Sequence, residues 1–138
     1  MTVVRSYLLD TNVILRFLMQ DDKPKGAAAK RLIEQARNGK IVLEVPFVAI
    51  SEAVHTLRNL YKIALPEVAR EISNFVTGFG VRLTAPAWIL DALEDCQRRN
   101  VSFGDACIAA EARASELTVA SFDTDFDRFP GVARFEPK

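Results

Sequence analysis

Tyr7-Leu8-Leu9-Asp10-Thr11-Asn12-Val13-Ile14 decides the fold. Three apolar residues run into an acid, and from Thr11 to Met19 the apolar positions Val13, Ile14, Phe17 and Leu18 recur at helical spacing. A short apolar run of this kind predicts a strand buried on both faces, and the helical spacing after it predicts a helix starting at the strand's carboxyl end. Asp10 therefore stands at a strand-to-helix junction.

The same alternation continues outward. Asp22 and Pro24 signal a helix from about Lys25 to Arg37 that stops near Asn38-Gly39. Ile41–Val45 predicts a second strand. Pro46 opens a helix to about Tyr61, with Phe47, Ile50, Val54, Leu57 and Tyr61 at core spacing. Pro66 opens another, with Val68, Ile72, Phe75 and Val76 inward and Gly78 and Gly80 ending it. Val81–Thr84 is expected as a third strand. Pro86 opens a helix carrying Ile89, Ala92, Leu93 and Cys96, and Ser102–Glu116 is an Ala-rich helix. Leu117–Ser121 is expected as a fourth strand and Val132–Phe135 as a short fifth at an edge. Alternating strands and helices imply parallel pairing. The expected fold is a single α/β domain over residues 1–138, a three-layer α/β/α sandwich around a four- to five-stranded, mainly parallel sheet.

Composition narrows the function classes. A chain of 138 residues with 49% hydrophobic and 26% charged residues holds a core without staples, which excludes disordered and fibrous classes. The balance of 18 Lys and Arg against 18 Asp and Glu argues against a nucleic-acid coat protein, which carries a basic surplus. After Met1, Arg5 and Asp10 break the apolar stretch, so neither a signal peptide nor a membrane span is expected. Cys96 and Cys107 lack metal-type spacing and are expected as buried, reduced thiols of a cytoplasmic protein.

In parallel α/β sheets, sites form outside the carboxyl ends of the strands. Asp10 follows the first strand, and Asp123 and Asp125 follow the fourth. Asp105 and Glu52 lie on helices. If their strands are neighbours, these acids converge on one rim. Carboxylates without His or Cys suit hard divalent ions such as Mg²⁺ or Mn²⁺. Each also has a plainer reading: Asp10 as a helix cap, Asp105 in a capping box with Ser102, Asp123 and Asp125 as turn residues, and Glu52 as a solvated residue off the apolar stripe. His55, the single histidine, is expected at the surface, and Trp88 in the core.

Leu8-Leu9-Asp10-Thr11-Asn12, Ile50-Ser51-Glu52, Phe103-Gly104-Asp105-Ala106 and Ser121-Phe122-Asp123-Thr124-Asp125-Phe126 occur in that order. The chain resembles PIN-domain ribonucleases, specifically the short VapC-like toxins of toxin–antitoxin pairs. The resemblance implies a metal-dependent endoribonuclease that cleaves RNA. It makes Asp10 the central metal ligand and Glu52, Asp105 and Asp123 the rest of an acidic quartet. Thr11, Asn12 and Ser121 become supporting polar groups, and Asp125 an accessory ligand of less weight than Asp123. Ser121 stands where the family more often has Thr, which keeps the hydroxyl. A homodimer and a cognate antitoxin that holds the enzyme inactive are further implications.

No Ser–His or Cys–His nucleophile pair is visible, so metal-activated water is the simplest chemistry. Arg16 and Lys23 are the candidate phosphate contacts, with Arg98 and Arg99 less securely placed. An apolar patch at Leu60, Tyr61, Ile63 and Leu65 is the candidate dimer face. An aspartyl phosphotransferase needs a second Asp at the position of Asn12, which argues against it. The remaining alternative is a non-catalytic module of the same fold whose acidic rim recruits a partner.

Overall fold

A computed structural model of the chain describes residues 3–138. It separates into two compact units, one ending at Pro86 and the other spanning Ala87–Lys138.

The first unit contains β1 (Arg5–Leu8), α1 (Thr11–Met19), α2 (Lys23–Arg37), β2 (Ile41–Val45), α3 (Phe47–Asn59), α4 (Leu65–Gly78) and β3 (Arg82–Leu83). The strands form one ladder in the order β1-β2-β3, with both pairings parallel. In register, Tyr7 lies opposite Leu43 and Val45 opposite Leu83. Each parallel step is bridged by a pair of helices, as such connections require. The core holds Ile14, Ile33, Leu43, Val45, Ile50, Leu57, Val68, Ile72 and Phe75. Phe17 joins α1 to α4 through ring contacts at 5.6 Å to Phe75 and 5.2 Å to Phe79.

The second unit contains α5 (Ile89–Arg98), α6 (Phe103–Ser115), β4 (Val119–Ala120), a 3-10 turn (Thr124–Arg128) and β5 (Arg134–Phe135). β4 and β5 pair in parallel. Ile89, Leu93 and Cys96 of α5 and Ala106, Ala109 and Ala110 of α6 are buried, and Phe126 and Phe129 close the unit's core.

The architecture is the expected α/β arrangement of helices and parallel strands. Five strands occur among the described residues, in ladders of three and two. Several local expectations need correction. The first strand is not buried on both faces. It is exposed along Arg5–Leu8, and only Leu9, just beyond it, is buried; β1 is an edge of its ladder, and its main packing partner is β2 rather than a covering helix. The third and fourth strands are two residues each, shorter than their apolar runs. α2 begins at Lys23, directly after its cap Asp22, whose Oδ1 accepts the Lys25 N–H at 3.0 Å. α3 stops at Asn59, so Tyr61 lies beyond it, half-buried. Leu65 is core at the start of α4 and is not part of an exposed dimer face.

Candidate functional site

Asp10 occupies the cap position of α1 in an extended conformation, yet its carboxylate makes no capping bond. Only its backbone carbonyl is engaged, accepting the Val13 N–H at 3.2 Å. The capping explanation of this acid therefore fails, and the carboxylate is exposed and unpaired among the described residues. Next to it, the buried Thr11 donates its hydroxyl to Glu52 Oε2 at 2.9 Å. Glu52 lies off the buried stripe of α3, as its spacing predicts, but it is not simply solvated. The start of α1 holds one of its oxygens, and Oε1 stays outside that bond.

The second unit carries the other acids. The Ser102 hydroxyl caps α6 by accepting the Asp105 N–H at 3.0 Å. The reciprocal bond of a capping box is not formed, which leaves the Asp105 carboxylate available. After β4, Ser121 Oγ accepts the Asp123 N–H at 2.9 Å, and Asp123 Oδ1 accepts the Asp125 N–H at 2.8 Å. These two bonds fold the segment into the 3-10 turn. They bring Asp123 and Asp125 to Asp105, so that one carboxylate oxygen from each lies within 4.8 Å of the others. Asp105 is half-buried and the other two are exposed. Arg128 approaches Asp125 at 3.9 Å, a long contact that leaves the cluster acidic. Three anionic oxygens this close repel one another, and oxygen-only donors of this kind fit a hard divalent cation.

The proposed phosphate contacts differ in availability. Arg16 pairs with Asp21 at 3.2 Å, and Asp21 also accepts the Tyr61 hydroxyl at 2.7 Å. That hydroxyl, with Arg16 behind it, holds the Asp21 carboxyl below its ordinary range, and the Tyr61 phenol is raised in turn. Lys23 opens α2 and is exposed. Arg98 and Arg99 are engaged by Glu94 and Asp95, and Asp95 also takes Arg113 at 2.8 Å. Sequence reasoning missed Lys25, which shares a cavity with Asn12 and Arg16. A lysine in the first turn of an exposed helix carries no signal that separates it from solvated neighbours.

The remaining expectations are mostly met. Asn59 donates to His55 Nδ1 at 2.9 Å, and the ring is exposed. Trp88 is half-buried rather than core, at the cap of α5. Phe122 is 73% exposed beside Asp123. Cys96 and Cys107 are buried free thiols. Burial, with Cys96 and Glu111 adding to it, pushes the Cys107 thiol up to about 12, so it stays protonated. Among the described residues no helix is long and apolar enough to cross a membrane.

The family model of the PIN domain matches residues 7–132, which takes in every acid described above and runs through both units. No curated protein matches the chain.

Proposed function

The chain belongs to the PIN-domain family, generally a family of metal-dependent nucleases, and from that premise we propose that it is a VapC-like endoribonuclease toxin. The observation that carries the reading is the cluster of Asp105, Asp123 and Asp125, with no histidine or cysteine among its ligand atoms. In this reading Asp10, Glu52, Asp105 and Asp123 act as one acidic quartet that takes Mg²⁺ or Mn²⁺. Asp125 joins it, and Thr11, Asn12 and Ser121 support it. The single family model across both units supports treating residues 1–138 as one functional domain.

When bound, such a cation supplies Lewis acidity toward water and phosphodiester oxygens. The chain's own groups have separate tasks. Thr11 holds Glu52 by one oxygen, which leaves Oε1 open to a cation. Ser121 fixes the turn that carries Asp123. The uncapped Asp10 keeps both oxygens for ligation. Arg16 and Lys23 offer cations to RNA phosphates. A cognate antitoxin, a homodimer and a cytoplasmic location complete the proposal. With Leu65 in the core, the dimer face keeps Leu60, 72% exposed, beside the half-buried Tyr61 and Ile63.

The test is Asp10→Asn. RNA cleavage and growth arrest should both vanish while the circular dichroism spectrum is retained, and EDTA should abolish wild-type cleavage. Full activity in Asp10→Asn, or activity indifferent to EDTA, refutes the mechanism. Failure to bind Mn²⁺ at millimolar concentration favours a non-catalytic acidic-rim module.

A further inference from the structure

α1 and α2 line a half-open cavity of about 440 Å³, within the size range of small-ligand sites. Val13, Ala29 and Leu32 give it an apolar wall, and Asn12, Arg16 and Lys25 supply its polar groups. No acid lines it among the described residues. The Arg16 guanidinium is fixed from behind: Tyr61 holds Asp21, and Asp21 holds Arg16 through Nη1. Arg16 Nη2 and Nε have no partner among the described residues, and neither does the Lys25 ammonium. One cavity thus presents two cations with open donors, an apolar wall, and an amide that both donates and accepts. A complementary ligand carries an anion on a flat apolar body with a hydrogen-bonding edge. That is the chemistry of a nucleotide.

We propose that this cavity seats one nucleotide of a single-stranded RNA. Its base lies against Val13, Ala29 and Leu32, its edge meets the Asn12 amide, and its phosphate rests on Arg16 and Lys25. The inference rests on the ribonuclease reading and adds to it a subsite, two residues along the chain from Asp10. An acidic peptide offers a carboxylate to the same cations but no flat face for the wall.

The test is fluorescence anisotropy of a short, labelled single-stranded RNA of mixed sequence, measured in EDTA so that cleavage does not enter. Three variants perturb the cavity: Arg16→Ala, Lys25→Ala and Ala28→Phe. Ala28 lines the cavity but is exposed, so the new ring fills the space without replacing a core residue. Lys40→Ala, beyond the far end of α2, is the control, and thermal melting confirms that each variant folds. Each cavity variant should weaken binding about threefold to tenfold, and Lys25→Ala should lower the salt slope by about 0.7. The control should match wild type. Unchanged affinity in all three cavity variants overturns the proposal, as does binding of an acidic peptide that these variants weaken while RNA binding stays intact. A protein that binds RNA through the cavity but never cleaves it upholds the subsite and refutes the nuclease reading. One that cleaves RNA with binding indifferent to the cavity does the reverse.

Discussion

Thr11→Val removes one hydrogen bond and nearly preserves the side chain's shape. Thr11 is only 8% exposed, and its hydroxyl donates to Glu52 Oε2 at 2.9 Å. A hydrogen bond to a charged group contributes about 1.5–3 kcal/mol. Glu52 is exposed and can regain water, which brings the expected loss down to about 1 kcal/mol, or about fivefold in the folding equilibrium. With an ordinary urea dependence the midpoint should fall by about 0.5 M. Cavity formation adds nothing, because valine fills the volume that threonine leaves.

A double-mutant cycle isolates the bond. Thr11→Val, Glu52→Ala and the pair are compared by urea denaturation followed by far-ultraviolet circular dichroism. The coupling energy should be about 1 kcal/mol. Additivity within about 0.3 kcal/mol would refute the claim that Thr11 holds Glu52. Function gives a second readout. If Glu52 works only when held, Thr11→Val should slow metal-dependent cleavage about tenfold, and Thr11→Ser, which keeps the hydroxyl, should recover most of it.

Gly26→Ala tests the junction of α1 and α2. Alanine normally stabilises a helix interior by about 1 kcal/mol over glycine, but here its Cβ would lie 2.6 Å from Gln20 Oε1. Gln20 Nε2 bonds the carbonyls of Arg16, Phe17 and Gly26, so displacing it should reverse the sign to a net loss of about 1 kcal/mol; a raised melting temperature would contradict this. Tyr61→Phe should move the Asp21 carboxyl back up toward its ordinary 3.8, followed by carbon NMR titration. The folded value is depressed, so Asp21's contribution is present above the unfolded value and lost as pH falls through the folded one; the variant should shrink that acid-side loss, and an unmoved titration midpoint would sink the argument. Asp125→Asn should weaken Mn²⁺ binding by calorimetry about tenfold, on a par with Asp123→Asn, because both present an oxygen to the same cluster. An unchanged affinity would return Asp125 to a turn residue.

Element types were legible where a local chemical signal marks them. Pro24, Pro46 and Pro66 announced helices, and Asp22 and Ser102 cap α2 and α6 through their side chains. Strand length was not legible. Leu117–Ser121 is a five-residue run of which two residues pair, because an apolar run does not say how far its partner extends. The acids were legible through their ordered motifs, but the use of their oxygens was not. Asp10 looks like a cap and caps nothing, and Glu52 looks solvated and is held by Thr11. The choice between Lys23 and Lys25 is a matter of helical phase. Two residues apart on a helix means opposite sides, and only Lys25 lines the cavity. The bond from Tyr61 to Asp21 spans forty positions in sequence, beyond any local pattern.

The neutral sum of charges is the most misleading number in the sequence. Divided at Pro86, it becomes twelve Lys and Arg against eight Asp and Glu in the first unit, and six against ten in the second, or +4 and −4. The distribution of ion pairs widens the contrast. Arg98, Arg99, Arg113, Arg128 and Arg134 all face carboxylates, so Lys138 is the second unit's one cation without such a pair among the described residues. In the first unit only Arg16, Arg37 and Arg82 are so engaged among the described residues. Exposed pairs are weak, but Asp95, at 13% side-chain exposure, is shared by Arg99 and Arg113, which ties both down. On the proposed ribonuclease reading, an RNA backbone would find cations unpaired among the described residues in the first unit, and a metal ion its closest set of carboxylates in the second. On that reading RNA affinity should depend on salt, through first-unit cations such as Arg16 and Lys25, and on divalent metal, through the acidic quartet.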